Sequence, residues 1–292
     1  MSKILITGAT GLLGGLAIDF LLQKGIEANE ISALARSEEK AKTLKNVNIN
    51  IKVGDYNDYD SLVAAFKGTE KLLFISGEDL TARLSQHENV VKASKESGVK
   101  HVVYTSFQRR NETETSPLGF LAQSHLLTEK WLKESGLNHT ILKNNLYMDY
   151  IPSFIGDRVL ETGTIYLPAG KRKISAGLRT EYAEATANIL ISEGHENKVY
   201  DFTNIEAYSY GDMAKSISEI TGKTIQYISP SINEFTQALT HAGVPTESIG
   251  VLSGFSVAQE QGDLDVTSTD LKNLLGRNPT TLKTFLKTVY SS

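Results

Sequence analysis

Residues 3–22, KILITGATGLLGGLAIDFLL, lead from an apolar segment through glycines spaced GxxGxxG into a helix-like apolar pattern. A glycine turn between a strand and a helix can hold a pyrophosphate. One glycine allows the tight turn, one lets the backbone approach the phosphates, and one lets helix and strand pack closely. The N–H groups and the dipole of the helix N-terminus attract the same anion. The stretch therefore predicts a dinucleotide-binding loop, formed by Gly8, Ala9, Thr10 with its hydroxyl donor, Gly11, Leu12 and Leu13.

The end of the second predicted strand indicates which dinucleotide is bound. An acidic residue there would bind the ribose 2′-hydroxyl of NAD, but SALARSEEK places Arg36 and Ser37 at that point. The planar donor fork of arginine matches a 2′-phosphate. Glu38 and Glu39 fall in the first turn of the next helix. The pattern favours NADP(H) over NAD(H), and the alternative is an exposed Arg36 beside a Ser37 that only caps this helix.

Polar residues also follow the other predicted strands. Because ligands bind beyond the carboxyl ends of parallel strands, these residues are expected at the same crevice as the glycine turn. The alternative for each of them is that it is an ordinary turn or loop residue without a ligand contact. They are Asp55; Ser76, Gly77 and Glu78; Thr105, Ser106 and Phe107; and Asn144, Asn145 and Tyr147.

Short apolar runs alternate with amphipathic segments through the first half of the chain, which predicts a parallel sheet with helices on both faces. We predict an α/β, doubly wound Rossmann-type sheet in a domain over residues 1–145, and a smaller α+β substrate region over 146–292. Residues 179–204 of that region contain the run KVYDFT and are expected to return to the main sheet. The predicted strands are 3–7, 30–35, 47–53, 71–76, 101–106 and 139–143, and the predicted helices lie near 12–24, 38–45, 59–67, 83–97 and 117–135.

Composition narrows the kinds of partner. The net charge is −4 and the one short basic run, KRK at 171–173, is isolated, so nucleic acid is not expected. The absence of cysteine excludes disulfides, thiolate zinc sites and a cysteine nucleophile. No other metal-ligand spacing occurs, so we expect no metal. No apolar run approaches the ~18 residues of a membrane span, and no signal peptide is evident. We expect a cytoplasmic protein, and the sequence leaves its oligomeric state open, a homodimer included.

Motifs along nearly the whole chain resemble those of the NmrA-like branch of the short-chain dehydrogenase superfamily, and more narrowly its bacterial NAD(P)H:quinone oxidoreductases. The resemblance implies an NADPH-bound Rossmann domain, a small C-terminal substrate domain and no flavin. It also implies that residues 8–13 hold the phosphates, that Arg36 binds the 2′-phosphate, that residues 76–78 line the nicotinamide ribose and that Lys130 holds this ribose. The motifs are ITGATGLLG, GDYNDYDSL, EKLLFIS, QHENVVKASKESGVKHVVYTS, TSPLG, HLLTEKWLKESG and GRNPTTLKTFL.

The chain departs from the superfamily in its proton donor. The usual YxxxK is absent, because Leu126 stands four residues before Lys130 and no tyrosine lies between Ser106 and Lys130. Oxidation of an alcohol needs such a tyrosine, whereas a quinone accepts hydride as a hydroquinone anion that solvent can protonate. The relatives also carry glycine and tryptophan where this chain has Asn145 and Leu146.

These features predict NADPH-dependent reduction of a small-molecule quinone by direct hydride transfer. Lys130 and Asn145 are the predicted catalytic residues. Phe107, Asn144, Asn145 and Tyr147 are predicted to bind the substrate, and the polar members of this set are candidate donors to its oxygen.

Two other functions stay open at this stage. A non-catalytic NADP(H)-sensing regulator of the NmrA type would also lack the tyrosine. A short-chain dehydrogenase acting on a sugar nucleotide is disfavoured by the missing YxxxK. His125 lies four residues before Glu129, a spacing typical of a surface contact on a helix, and we expect a structural role for it.

Overall fold

The computed structural model describes residues 3–42, 44, 48–113 and 115–291. Residues 43 and 45 of the predicted helix 38–45 and residue 47 of the predicted strand 47–53 lie outside the described residues. The chain divides into two compact units. The first comprises Met1–Phe107, Phe120–Asn144 and Thr180–Phe202, and the second comprises Gln108–Gly119, Asn145–Arg179 and Thr203–Ser292.

The first unit is built on a seven-stranded parallel sheet of order β3-β2-β1-β4-β5-β6-β8. This Rossmann-like order confirms the predicted fold class. The inner strands are continuous apolar runs because helices cover both faces of a parallel sheet. The strands are β1 (Ile4–Ile6), β2 (Ile31–Ala35), β3 (Asn50–Val53), β4 (Lys71–Phe74), β5 (His101–Phe107), β6 (Asn138–Asn144) and β8 (Lys198–Phe202).

Two helices of this unit show capping residues that mark where they begin or end. Asp58 accepts a hydrogen bond from the Ser61 N–H at the start of the third helix (3.1 Å), and Gly136, with φ +81°, follows the end of the fifth. The helices are α1 (Leu12–Gln23), α2 (Glu38–Ala41), α3 (Tyr59–Phe66), α4 (Arg83–Glu96), α5 (Gly119–Ser135) and α8 (Arg179–Ile191).

The second unit contains a two-stranded parallel sheet surrounded by helices. Its strands are β7 (Thr164–Tyr166) and β9 (Gln226–Ile228). Its helices are α6 (Ile151–Ile155), α7 (Val159–Thr162), α9 (Tyr210–Thr221), α10 (Ile232–His241), α11 (Thr246–Gln261), α12 (Asp270–Leu275) and α13 (Leu282–Tyr290).

Two details of the second unit differ from the sequence expectations. Residues 108–119, predicted in the first domain, belong here, and the Arg110 N–H donates to the Asp263 carbonyl (3.2 Å). The glycines of the run 243–263 interrupt the apolar periodicity of the sequence and so predict a break in the helical pattern, but this run contains α11. A helical glycine costs only about 1 kcal/mol relative to alanine, and the burial of Ile249 and Ala258 offsets that cost.

No helix within the described residues is long and apolar enough to cross a membrane. Among the same residues, no group of three His, Cys, Asp or Glu side chains could hold a metal ion.

Candidate active site

The glycine turn after β1 is packed against the start of α1. Gly8 has φ +58°, and its carbonyl accepts a hydrogen bond from the Gly11 N–H (3.0 Å). A Cβ atom on Gly14 would lie only 2.4 Å from the Gly8 oxygen and 2.8 Å from Ala9 Cα. Side chains are therefore excluded at Gly14, and this glycine allows the helix and the turn to pack closely.

The same turn presents backbone rather than charged side chains. Thr10, Gly11 and Leu12 are exposed, and Leu12 retains 70% of its accessible surface. Ala9 and Leu13 are buried and can reach a ligand only through their backbone. No acidic residue lies in the first turn of α1, so nothing there opposes the positive end of the helix dipole. These features fit a pyrophosphate at this turn.

At the end of β2, the structure shows the helix cap by Ser37, and it leaves the 2′-phosphate contact of Arg36 open. Ser37 is the N-cap of α2, and its Oγ accepts a hydrogen bond from the Lys40 N–H (3.2 Å). Arg36 precedes it directly after β2, with an exposed side chain. The position of Arg36 is compatible with a 2′-phosphate contact, and this contact stays a prediction.

Asp55 follows β3 and forms a local turn, because its Oδ1 accepts hydrogen bonds from the Asn57 N–H (2.8 Å) and Nδ2 (3.1 Å). The neighbouring Tyr56, which the sequence analysis did not single out, connects two strand ends. Its hydroxyl lies within hydrogen-bond distance of Thr7 Oγ1 (2.5 Å) and of the Ile75 carbonyl (2.8 Å) and can donate its one proton to either. Burial raises the pKa of this tyrosine. The tyrosine thus fixes the ends of β1 and β4 relative to each other.

Backbone groups after β4 are bonded to neighbouring elements. The Ser76 N–H donates to Thr105 Oγ1 (3.0 Å), and the Gly77 N–H donates to His87 Nε2 (3.0 Å). A Cβ on Gly77 would lie 2.8 Å from Gln86 Oε1, so this loop approaches α4 closely. Glu78 is exposed. Any ligand contact of Ser76 would therefore use its side chain or carbonyl.

A buried polar cluster lies between β5 and helices α4 and α5. His87 Nδ1 is 2.8 Å from Thr128 Oγ1 and 3.4 Å from the Tyr104 hydroxyl, which is 2.7 Å from His125 Nδ1. Because the Gly77 N–H can only donate, His87 Nε2 must accept, and the ring is neutral with its proton on Nδ1. Burial, with the nearby charge of Arg83, lowers the pKa of His87 to about 3.

The pair His125 and Glu129 is placed differently from our expectation. Both residues are buried, at 3% and 4% exposure, and Ser106 at the end of β5 donates to Glu129 Oε1. The interpretation of this pair as a surface contact was wrong. The spacing of His125, Thr128, Glu129 and Leu132 already marks one helical face, which could have identified the pair as buried.

Lys130 lies on the outer side of α5. Its side chain is 63% exposed, and Nζ lies 3.9 Å from Glu134 Oε1. Among the described residues, no hydrogen bond or ion pair brings it to the strand ends. Its role at the nicotinamide ribose stays a prediction from the family resemblance.

Phe107 and Asn144 end two adjacent strands and are partners in the register of β5 and β6. The Phe107 ring centroid lies 6.3 Å from that of His125. Asn144 is 5% exposed, and its Oδ1 makes no hydrogen bond with any described residue. An unpartnered buried amide oxygen at a strand end indicates a place where a ligand can donate.

Asn145, the first residue of the second unit's segment 145–179, has a fully bonded amide. Its Nδ2 donates to Gln108 Oε1 (2.6 Å) and to the Leu264 carbonyl (3.0 Å), and its Oδ1 accepts from the Leu146 N–H (2.7 Å). Both N–H bonds are used, so this geometry does not support the predicted role of Asn145 as a donor to a substrate oxyanion. The residue holds together three segments of its own unit.

Tyr147 contacts a buried arginine within the second unit. The Arg179 Cζ lies 4.5 Å from the Tyr147 ring centroid and 4.7 Å from that of Tyr150. Arg179 Nε lies 3.3 Å from Asp149 Oδ2. The ring of Tyr147 is thus held by a cation–π contact, and its predicted contact with a substrate stays a prediction.

Comparison with known proteins identifies the family of this chain. The model of the NmrA-like family matches residues 1–286. The chain is 38% identical to Quinone oxidoreductase 2 of Escherichia coli (strain K12) over 280 residues, which cover 96% of each protein.

Two solved structures share the fold over almost the whole chain. The NADPH-dependent quinone oxidoreductase QOR2 of Escherichia coli, complexed with NADPH, superposes with a TM-score of 0.91 at 36% identity, covering 99% of this chain and 100% of that one. The Citrobacter sp. triphenylmethane reductase, complexed with NADP(H), gives a TM-score of 0.90 at 38% identity, covering 98% and 99%. The resemblance seen in the sequence motifs is thereby confirmed, and the chain belongs to the NmrA-like family.

Proposed function

We propose that this protein is an NADPH-dependent oxidoreductase that reduces quinones by direct hydride transfer. The observation that carries the proposal is the turn at residues 8–14, which leaves an uncapped, acid-free helix start open to a pyrophosphate. The similarity to a quinone oxidoreductase and to a triphenylmethane reductase with bound NADP(H) supports both the cofactor and the reaction class.

Arg36 supports the choice of NADPH. It stands after β2, where an acidic residue would bind the 2′-hydroxyl of NAD, and its exposed guanidinium can form a charge-assisted pair with a 2′-phosphate. NADPH, when bound, supplies a hydride from its nicotinamide.

The residues at the ends of β5 and β6 are suited to positioning an acceptor. The Phe107 side chain offers an aromatic face at the last position of β5. The unpartnered Asn144 Oδ1 beside it can accept a hydrogen bond from the hydroxyl of the hydroquinone product, since a quinone itself has no donor. Orientation of two reactants in one site is a large part of the catalysis of such a transfer. A proton from solvent completes the hydroquinone.

Steady-state oxidation of NADPH with a panel of quinones tests the proposal, and a triphenylmethane dye serves as a second class of acceptor. We expect quinone-dependent loss of NADPH absorbance in a preparation without added flavin. Turnover that requires added flavin, or turnover of the dye alone, would contradict the proposed acceptor and mechanism.

A second candidate function is an NADP(H)-sensing regulator. It is favoured by one observation, which is that Leu126 stands where the superfamily has its tyrosine. Tight binding of NADP(H) without turnover of either acceptor class would support the sensor and refute the enzyme.

A further inference from the structure

The side chain of Arg83 is largely buried, and two of its three guanidinium nitrogens have no partner among the described residues. Arg83 is the first residue of α4 and is 7% exposed. Its Nε and Nη1 atoms make no hydrogen bond with any described residue. Within the same part of the chain, no ion pair includes this side chain.

Burial of an unpaired guanidinium is costly, because the water that it loses is not replaced by other acceptors. The two acidic residues nearest along the chain attract this charge, but among the described residues neither forms an ion pair or hydrogen bond with the guanidinium. Glu78 and Asp79 are exposed, and Asp79 Oδ1 accepts hydrogen bonds from the Thr81 and Ala82 N–H groups (3.0 and 3.1 Å). A largely buried guanidinium without a direct hydrogen-bond or ion-pair partner requires an explanation, and a ligand is one.

Arg83 lies on the side of the sheet edge where the nicotinamide end of the dinucleotide is expected to bind. It follows the loop that leaves β4, and its charge acts on His87 and on the Tyr104 phenol of β5. In this fold the phosphates bind at the turn after β1 and one nucleotide extends past β2. The other nucleotide, which carries the nicotinamide, then extends toward β4 and β5.

We propose that Arg83 binds an oxygen of the electron acceptor and stabilises the negative charge that hydride transfer places on it. This inference rests on the proposed function. The quinone takes up the hydride with its electron pair and becomes a hydroquinone monoanion, NADPH is left as NADP⁺, and a proton from solvent completes the hydroquinone. The ligand class is therefore a quinone before the transfer and a phenolate after it.

The side chain is suited to this task for two reasons. A guanidinium stays protonated in dry surroundings and presents a planar fork of donors to an anionic oxygen. Donors that stabilise developing charge are most effective where water is excluded. Since the Arg83 fork makes no hydrogen bond with a described residue, it can turn toward an arriving oxygen without breaking such a bond.

Kinetics of Arg83→Met, Arg83→Lys and the control Lys92→Met test the inference. Lys92 lies on the same helix, is exposed and pairs with Glu88 (2.6 Å), so its removal changes the charge of α4 alone. We expect Arg83→Met to lower kcat for a simple benzoquinone by about 10²–10³-fold, with the NADPH KM unchanged. Arg83→Lys should recover part of this loss and Lys92→Met should match the wild type. An unchanged kcat in Arg83→Met would overturn the inference.

Binding of 4-nitrophenol to the NADP⁺ complex provides a readout that needs no turnover. The probe resembles the oxygen of the product anion and changes colour on ionisation. We expect the wild-type complex to lower the ionisation pH of the bound probe by about one unit, and Arg83→Met to abolish this shift.

The outcomes separate the two proposals. Arg83-dependent phenolate binding without quinone turnover would refute the proposed function and keep the anion site. Quinone turnover and phenolate binding that are both independent of Arg83 would refute the inference and keep the function.

Thermal unfolding distinguishes this role from a structural one. If Arg83 is retained for a ligand, Arg83→Met removes a largely buried charge without a direct partner and should raise the unfolding midpoint by about 2–4 °C. A midpoint below that of Lys92→Met would assign Arg83 to the stability of the fold and overturn the inference.

Discussion

Neighbouring glycines of α1 should respond in opposite directions to the same substitution. In Gly14→Ala, the added Cβ would lie 2.4 Å from the Gly8 oxygen, about 0.6 Å inside the 3.0 Å that real Cβ contacts respect. The obstacle is backbone, so the turn and the helix must separate. In Gly15→Ala, the nearest atom is the Ala9 oxygen at 3.7 Å, which is ordinary contact.

The expected magnitudes follow from these distances. Overpacking at Gly14 should cost about 1–3 kcal/mol and lower the unfolding midpoint by about 2–4 °C per kcal/mol. Displacement of the turn should also weaken NADPH binding by at least about tenfold, because the phosphate contacts depend on its backbone. Gly15→Ala should gain up to about 1 kcal/mol from helix propensity and bind NADPH as the wild type does.

Thermal unfolding and calorimetric titration with NADPH measure both effects on the same three proteins, with circular dichroism as the check on the fold. If Gly14→Ala kept the wild-type midpoint and NADPH affinity, the close packing of turn and helix would have no part in binding the cofactor. If Gly15→Ala lost affinity equally, the effect would be a general property of this helix and the distance argument would fail.

Three further predictions concern other residues. Arg36→Ala should weaken NADPH binding by about 1.5–3 kcal/mol while NADH binding changes little; titration with both cofactors measures this, and an equal loss for both would contradict the 2′-phosphate contact. Burial lowers the pKa values of His87 and His101 to about 3 and about 4. Between those values and about 6.5, the unfolded chain therefore binds more protons than the folded chain. The free energy of unfolding should fall with acidification over this window by up to about 1.4 kcal/mol per pH unit for each histidine. Urea unfolding across this pH range should show a shallower slope for His87→Gln, and an identical slope would mean that His87 is not neutral in the folded state. Asn145→Leu should cost about 1–3 kcal/mol by leaving Gln108 Oε1 and the Leu264 carbonyl unpaired, which urea unfolding detects; full stability would show that these bonds contribute nothing.

The sequence predicted most of the first unit because its signals are local. The inner strands are buried on both faces, so they appear as apolar runs, and glycines such as Gly136 mark the ends of helices. The glycine turn was identifiable for the same reason, since Gly8 and Gly14 act on atoms only a few residues away.

The side-chain partners of the candidate site could not be predicted in this way. Whether Asn145 offers its amide to a ligand depends on Gln108 and Leu264, which are distant in sequence. The burial of His125 and Glu129 depends on which face of α5 meets β5. Arg83 resembles any surface arginine until the surroundings of its guanidinium are known.

The return of residues 198–202 to the sheet has a consequence for biosynthesis. β8 pairs along β6, from Thr140 with Lys198 to Asn144 with Phe202. A nascent chain that has emerged only to residue 145 therefore exposes the unpaired edge of β6, which invites association with other chains. The sheet gains its last strand only after the ribosome has added more than fifty further residues, most of which belong to the second unit. Co-translational folding of the first unit therefore cannot finish until residues 180–202, which follow the second unit's segment 145–179, have been made. A gene fragment cut at residue 145 would encode a sheet without its last strand.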